Sequence, residues 1–300
     1  MRIAVMGAGA IGCYFGGLLA CAGHAVTLIG RASHIEAIKR DGLRLQGADF
    51  DRRVPVATSE TPDGVRDAEI VLCCVKRPDT KAAAMAIAPF LRPDAMVVSL
   101  QNGVDNRDVL RAHLPAGIEV IPAAVYAAVG MAGAGHVRHQ GGGQITLGTS
   151  ASSDKVATLL AQTGASVDIS PNIDGVLWTK LIINCAFNAL SAITVAPYGV
   201  LMQSEGIEAV LRDIVDECLA VAGKEGVVVA SDVWARVMRI PEAMPEQLSS
   251  TAQDLQRGRR SEIDHLNGFI VARGAALGVA TPVNRALWAL VKVLESRASG

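Results

Sequence analysis

The chain opens with Arg2-Ile-Ala-Val-Met6, runs into Gly7-Ala-Gly9-Ala-Ile-Gly12, and continues as an apolar segment without Asp, Glu, Lys or Arg through Gly23. A short β-prone run, a glycine turn and a helical pattern over Ala10–Ala22 predict strand, turn and helix in that order. A second β-prone run at Ala25–Ile29 completes the unit. In such a unit Gly7 allows the tight turn, Gly9 lets a pyrophosphate approach the backbone, and Gly12 lets helix and strand pack closely. The helix start, with Ala10 and Ile11, offers N–H donors to the anion. The uncharged run also raises a membrane anchor or signal peptide. Gly7, Gly9, Gly12, Gly16 and Gly17 break it up, and no small-residue cleavage site follows a distinct apolar core.

Further alternation of β-rich and helical patterns follows, the mark of a parallel sheet covered by helices. Strands are predicted at Glu69–Val75, Met96–Leu100 and Glu119–Ala124, and helices at Lys81–Leu91 and Asn106–His113. His136–Gln140 and Gln144–Gly148 read as two short strands joined by a hairpin turn at Gly141-Gly142-Gly143. From about Ser170 helix-period segments take over, at 172–191, 205–224, 246–257, 261–277 and 283–297, with Val227–Val229 as one brief strand-like interruption. The expected domains are 1–170, an NADP-binding domain, and 171–300, a helical substrate and catalytic domain. No flexible linker separates them.

Net charge is −1 and the charges are spread along the 300 residues, so neither nucleic acid nor a membrane surface is an expected partner. The six Cys show no CxxC spacing and read as core residues of a reduced, cytoplasmic protein. His136 and His139, three apart on an extended segment, point to opposite faces, and no metal site is expected.

The end of the second strand bears on the cofactor. An NAD-preferring site places an acid there for the ribose 2′-hydroxyl, whereas this chain reads Leu28-Ile29-Gly30-Arg31. A guanidinium suits a 2′-phosphate, so NADPH is expected over NADH. The alternative is that Arg31 is a solvated turn residue.

The segment Trp178–Leu190, WTKLIINCAFNAL, carries Lys180, Asn184 and Asn188 four residues apart. Positions i, i+4 and i+8 drift about 80° in total around a helix and share one face. A narrow polar stripe on an otherwise apolar helix suggests a polar ligand against it, although Asn side chains that cap loops and a Lys that snorkels to water would also produce one. A hydride reductase needs a proton or positive charge for the oxygen that becomes negative. The six His form no obvious constellation, and Lys180 in an apolar helix is the better candidate acid.

Together, GAGAIG, Val75-Lys76, Gln101-Asn102-Gly103, WTKLIINCAFNAL, the run SSTAQDLQRGRRSEIDHLNG over Ser249–Gly268, and Thr281-Pro282-Val283-Asn284 resemble the ketopantoate reductase (2-dehydropantoate 2-reductase) family. The resemblance implies an α/β fold in which an N-terminal Rossmann-type domain joins a C-terminal all-helical domain, with the site in the cleft between them. It implies that Lys180 is the general acid and that Glu262 binds the substrate hydroxyl and helps place Lys180. Asn102 would sit near the nicotinamide, where it borders both cofactor and substrate. Asn184, Asn188 and Ser250 would contact a small 2-oxo acid, and Arg31 with Lys76 would hold the adenosine phosphate of NADPH. It leaves a homodimer open. Glu262 could instead pair with Arg259 or Arg260 on its own helix, Lys76 could end a strand in water, and Asn102 could be a plain turn residue. In the loop Arg77-Pro78-Asp79 this chain shows Pro78 and Asp79 where some members carry an aromatic and Gln, and Pro78 stiffens the loop.

Three functions compete. The first is NADPH-dependent reduction of ketopantoate to pantoate for pantothenate and coenzyme A synthesis. The second is reduction of another 2-oxo or 3-oxo acid on the same scaffold, 3-hydroxyacid and polyol-phosphate dehydrogenases included. The third is a non-catalytic NADP-binding sensor, which would have no use for a Lys and its partner carboxylate.

Overall fold

The computed structural model describes residues 1–298 and divides into two compact units, Met1–Ile173 and the chain from Asp174 onward. The first unit runs β1 (Arg2–Met6), α1 (Ala10–Cys21), β2 (Ala25–Ile29), α2 (Ala32–Asp41), β3 (Leu43–Gln46), β4 (Asp51–Val54) and β5 (Ala57–Ser59). It continues with β6 (Ile70–Cys73), α3 (Thr80–Ile87), β7 (Met96–Ser99), α4 (Asn106–His113), β8 (Glu119–Gly133), β9 (His136–Gly148), α5 (Ser153–Ala161) and β10 (Val167–Ser170).

Six strands are parallel neighbours in the order β5-β2-β1-β6-β7-β8. Numbered among themselves they read 3-2-1-4-5-6, the doubly wound dinucleotide-binding order. The order reverses between β1 and β6, so the crevice at their carboxyl ends is where such a sheet receives a ligand. Both faces are covered, which is why the inner strands are apolar without interruption. Ile70 and Leu72 enter the core on one face, while Val71 and Cys73 enter the core on the other.

Beyond β8 the sheet turns antiparallel. β9 pairs with β8, then takes β10 and β3 as parallel neighbours at its two ends, and β4 closes that edge. The expected hairpin at Gly141–Gly143 is not there. β9 is one strand through all three glycines, and the turn lies at Ala134-Gly135 instead. The register shifts beside Tyr126/Ala127 and Ala128/Val129, and Gly142 has φ +74°. Positive φ absorbs extra residues as bulges without leaving the ladder, and a Cβ on Gly142 would lie 2.4 Å from the Tyr126 carbonyl oxygen.

The second unit is helical: α6 (Ile173–Thr194), α7 (Tyr198–Met202), α8 (Ile207–Lys224), α9 (Val233–Ala243), α10 (Ser250–Gln256), α11 (Asn267–Leu277) and α12 (Pro282–Ala298). α6 is the one helix among the described residues long and apolar enough to cross a membrane by composition, yet 72% of its most apolar window is buried in the protein. Trp178 meets Phe269 edge-on at 5.9 Å and Phe187 packs on Tyr198 at 5.1 Å. A buried side chain of this size stabilises the fold by about 1.5–3 kcal/mol.

Two sequence expectations fail in this unit. Val227–Val229 is irregular, because it leaves α8 through Gly226 at φ +74° and finds no strand to pair with. The expected helix 261–277 breaks into a 3-10 turn at Ile263–His265 and then α11, with Leu266 at φ −113°, ψ −106° between them. Glu262 therefore stands at the start of a turn and does not share a helix with Arg259 and Arg260.

Candidate active site

At the carboxyl end of β1, Gly7 has φ +109°, and a Cβ there would lie 2.7 Å from the Val75 nitrogen in the loop after β6. A Cβ on Gly12 would lie 2.1 Å from the Gly7 carbonyl oxygen and 2.8 Å from Val5 Cγ1. Packing explains both glycines. Gly9, the N-cap of α1, is different, because a Cβ there would meet nothing within 4 Å. Its missing side chain leaves room for a group outside the protein, beside the N–H groups of Ala10 and Ile11 and with no acid in the first turn of α1. The residues present thus fit a dinucleotide pyrophosphate.

Arg31 is exposed at the N-cap of α2, immediately past β2. The strands stand close there, since a Cβ on Gly30 would reach to 2.6 Å of Ala8 Cβ. Lys76 is exposed and half-buried Asn102 follows β7, so Gly7–Gly12, Arg31, Lys76 and Asn102 all gather at the carboxyl ends of β1, β2, β6 and β7.

A buried network holds the last two loops. Ser99 Oγ donates to Gln101 Oε1 at 3.1 Å, and Gln101 Nε2 donates to the Val75 carbonyl at 2.9 Å and to Thr80 Oγ1 at 2.7 Å. Thr80 Oγ1 donates to Asn106 Oδ1 at 2.9 Å, and Asn106 Nδ2 donates to the Asn102 carbonyl at 2.7 Å. Above it Arg77 Nε donates to Asp105 Oδ1 at 2.7 Å, with a second bond from its NH2 group to Oδ2. Hydrogen bonding to Asp105 raises the Arg77 pKa. Arg77, next to the departure at Pro78 and Asp79, is thus one half of a clamp between two loops. Only Asn102 of this network was expected as a site residue. A polar residue at the mouth of an apolar strand was the available signal for Gln101.

The helical unit holds the other expected residues. Lys180 and Asn184 are half-buried on α6, and Asn188 is 4% exposed one turn further along. Desolvation lowers the Lys180 pKa to about 8, and the negative charge of Glu262 works against that fall. Lys180 and Glu262 are thus electrostatic neighbours within one compact unit.

Asn188 Nδ2 donates to Ser250 Oγ at 3.4 Å. Ser250 itself is exposed, and its neighbour Ser249 does the anchoring. Ser249 Oγ accepts from the Ala252 amide at 3.0 Å, caps α10, and donates to the Asn188 carbonyl at 3.1 Å, while its amide donates to Ser191 Oγ at 3.1 Å. Asn267, fully buried, donates from Nδ2 to the Cys185 carbonyl at 3.1 Å and to Asn284 Oδ1 at 2.9 Å. Neither Ser249 nor Asn267 was assigned a role from sequence; a Ser ahead of a helical run is a cap signal, whereas a buried Asn gives none.

Two family models match in tandem: "Ketopantoate reductase PanE/ApbA" over residues 3–152 and "Ketopantoate reductase PanE/ApbA C terminal" over 172–295. The chain belongs to the ketopantoate reductase family. A 2-dehydropantoate 2-reductase of Halobacterium salinarum is 35% identical over 98% of this chain and 99% of its own. The PanE/ApbA family ketopantoate reductase of Ralstonia eutropha JMP134 is 53% identical, with a TM-score of 0.95 and complete coverage of both chains. D-mandelate dehydrogenase, solved with NADH and anilino(oxo)acetate, is 27% identical with a TM-score of 0.93 over the full length of both chains. The family is one of NAD(P)-dependent oxidoreductases acting on small oxo acids.

Proposed function

We propose that this ketopantoate reductase family member reduces 2-dehydropantoate to pantoate with NADPH, within the pantothenate and coenzyme A pathway of the cytoplasm. The observation that carries the reading is Lys180, a lysine on an apolar helix whose pKa is brought down to about 8 beside Glu262. Such a group is protonated at neutral pH and gives up its proton far more readily than an ordinary lysine. NADPH, when bound, supplies the hydride. Lys180 donates the proton that the substrate oxygen requires, and its ammonium attracts the 2-oxo acid carboxylate. Glu262 accepts a hydrogen bond from the substrate hydroxyl, while Asn184, Asn188 and Ser250 hold the remaining polar groups. In the first unit the backbone from Gly7 to Gly12 holds the pyrophosphate, Arg31 and Lys76 the adenosine phosphate, and Asn102 the nicotinamide end.

A second reading keeps this chemistry and changes both partners. The similarity to D-mandelate dehydrogenase favours a 2-oxo acid with an aryl side chain and NADH. The deciding experiment follows loss of reduced-nicotinamide absorbance with ketopantoate, an aryl 2-oxo acid and a 3-oxo acid, each with NADPH and NADH. The proposal expects the highest kcat/KM for ketopantoate with NADPH. A preference for the aryl acid with NADH would replace it by the second reading.

A further inference from the structure

The turn that carries Glu262 is held by side chains of a distant helix. Trp288, Lys292 and Glu295 are spaced four and three apart on α12 and so share one face. Glu295, 8% exposed, accepts at Oε1 from the Ser261 amide at 2.8 Å and from Ser261 Oγ at 2.7 Å. The same Ser261 Oγ accepts from the Ile263 amide at 3.2 Å, so both neighbours of Glu262 are tied. Lys292 Nζ donates to Glu295 Oε2 at 2.7 Å and to Asp264 Oδ2 at 2.8 Å, and Trp288 Nε1 donates to Asp264 Oδ1 at 2.7 Å. The turn closes on itself through the His265 amide and the Glu262 carbonyl, 2.8 Å apart. Trp288 comes this close because residue 268 is glycine, where a Cβ would lie 2.9 Å from the indole nitrogen.

Five side chains therefore fix the backbone on both sides of Glu262. The turn they anchor carries the carboxylate whose charge acts on Lys180. Burial opposes ionisation of Glu295, but bonds from Lys292 and Ser261 prevail and keep its carboxyl below the usual range. The charged and titratable groups at the turn are Arg259, Arg260, Asp264, His265, Lys292 and Glu295, and Glu262 is the charge that acts on Lys180.

We propose that Trp288, Lys292 and Glu295 are positioning residues that hold the Glu262 turn in register with Lys180, so that α12 acts on the reaction without touching substrate. This rests on the reductase reading for its kinetic consequence, though not for its electrostatic one.

The test compares full-length wild type with Glu295→Ala, Glu295→Gln, Lys292→Met, Glu262→Gln and the Glu295→Ala/Glu262→Gln double variant. Measured are kcat, KM, the pH dependence of kcat, NADPH affinity by fluorescence, and folding by circular dichroism. Glu295→Ala is expected to lower kcat about tenfold with unchanged NADPH affinity, and to displace the alkaline limb in the direction that Glu262→Gln displaces it. Glu295→Gln, which keeps an acceptor for Ser261, is expected to recover most of the loss. In the double variant the Glu295 change is expected to add nothing to Glu262→Gln. Additive losses, or an unmoved kcat and alkaline limb in folded Glu295→Ala, overturn the proposal. If that variant does not fold, Lys292→Met, which leaves the Ser261 bonds in place, carries the same comparison. If wild type reduces no oxo acid, the reductase reading fails by itself. The splint is then judged by the pH dependence of Lys180 acetylation, read by mass spectrometry. A midpoint common to wild type and Glu295→Ala overturns it, and one moved toward Glu262→Gln upholds it.

Discussion

At the scale of a single residue, the proposed chemistry centres on Lys180. Replacing it with Ala is expected to lower kcat at least 100-fold, roughly the scale of a positioned general acid, with the circular dichroism spectrum retained. In wild type, kcat/KM is expected to fall as pH rises through about 8, because the free enzyme loses its acid there. A limb near 10.5, the ordinary lysine value, would mean that burial does not tune this group. The same shift has a cost in stability. Between about 8 and 10.5 the unfolded chain binds more protons at Lys180 than the folded one, so stability rises with pH across that window. Below it the cost is fully present. Lys180→Met should therefore raise stability at pH 7 by on the order of 2 kcal/mol in urea unfolding, reduced from the full shift because part of the side chain reaches the surface. Arg31 is proposed to act by a different principle. Arg31→Ala is expected to raise the KM for NADPH and leave kcat and the KM for NADH alone, since a 2′-phosphate contact binds ground and transition states alike. Equal KM effects on the two cofactors would remove Arg31 from the phosphate site.

Among the elements, the β1–α1 turn allows two neighbouring glycines to be told apart. Gly12→Ala drives a methyl to 2.1 Å from a backbone oxygen and is expected to cost about 1–3 kcal/mol in urea unfolding. Gly9→Ala meets nothing within 4 Å and is expected to change stability by less than about 0.5 kcal/mol while weakening NADPH binding severely. If Gly9→Ala binds NADPH normally, no pyrophosphate passes that point. Nearly all of this turn was legible in the sequence, because a strand, three spaced glycines and an apolar helix are consecutive and their geometry is local. The bulged β9 was not. A run of three glycines is a turn signal in isolation, and only the partner strand β8, continuing to Gly133, converts it into bulges.

For the molecule as a whole, the two units divide the proposed work: the residues proposed for the cofactor lie in Met1–Ile173, and Lys180 with Glu262 lie from Asp174 onward. Hydrogen exchange read by mass spectrometry gives this a test. Saturating NADPH is expected to protect Gly7–Gly12 and the loops around Lys76 and Asn102, and to leave the Ser249–His265 segment unchanged until a 2-oxo acid is added. Protection by NADPH alone confined to the helical unit would reverse the assignment.

The sequence by itself determined the pieces whose cause is short-ranged. These are β1, β2 and α4 to the residue, the glycine turn, the helical second half, and the stripe of Lys180, Asn184 and Asn188 that helical periodicity imposes. Only the tertiary structure decided what those pieces meet. Glu262 lies on a turn tied to α12 and not on a helix with Arg259, because bonds from Glu295, Lys292 and Trp288 outweigh the helical tendency of residues 261–266. Arg77 became a clamp on Asp105, and Ser249, beside the expected Ser250, became the cap that joins α10 to α6. Periodicity reports which face a side chain shares with its own helix. The partner across the gap is set by packing, which brings together residues remote in sequence and lets desolvation and charge act on them in ways that spacing cannot encode.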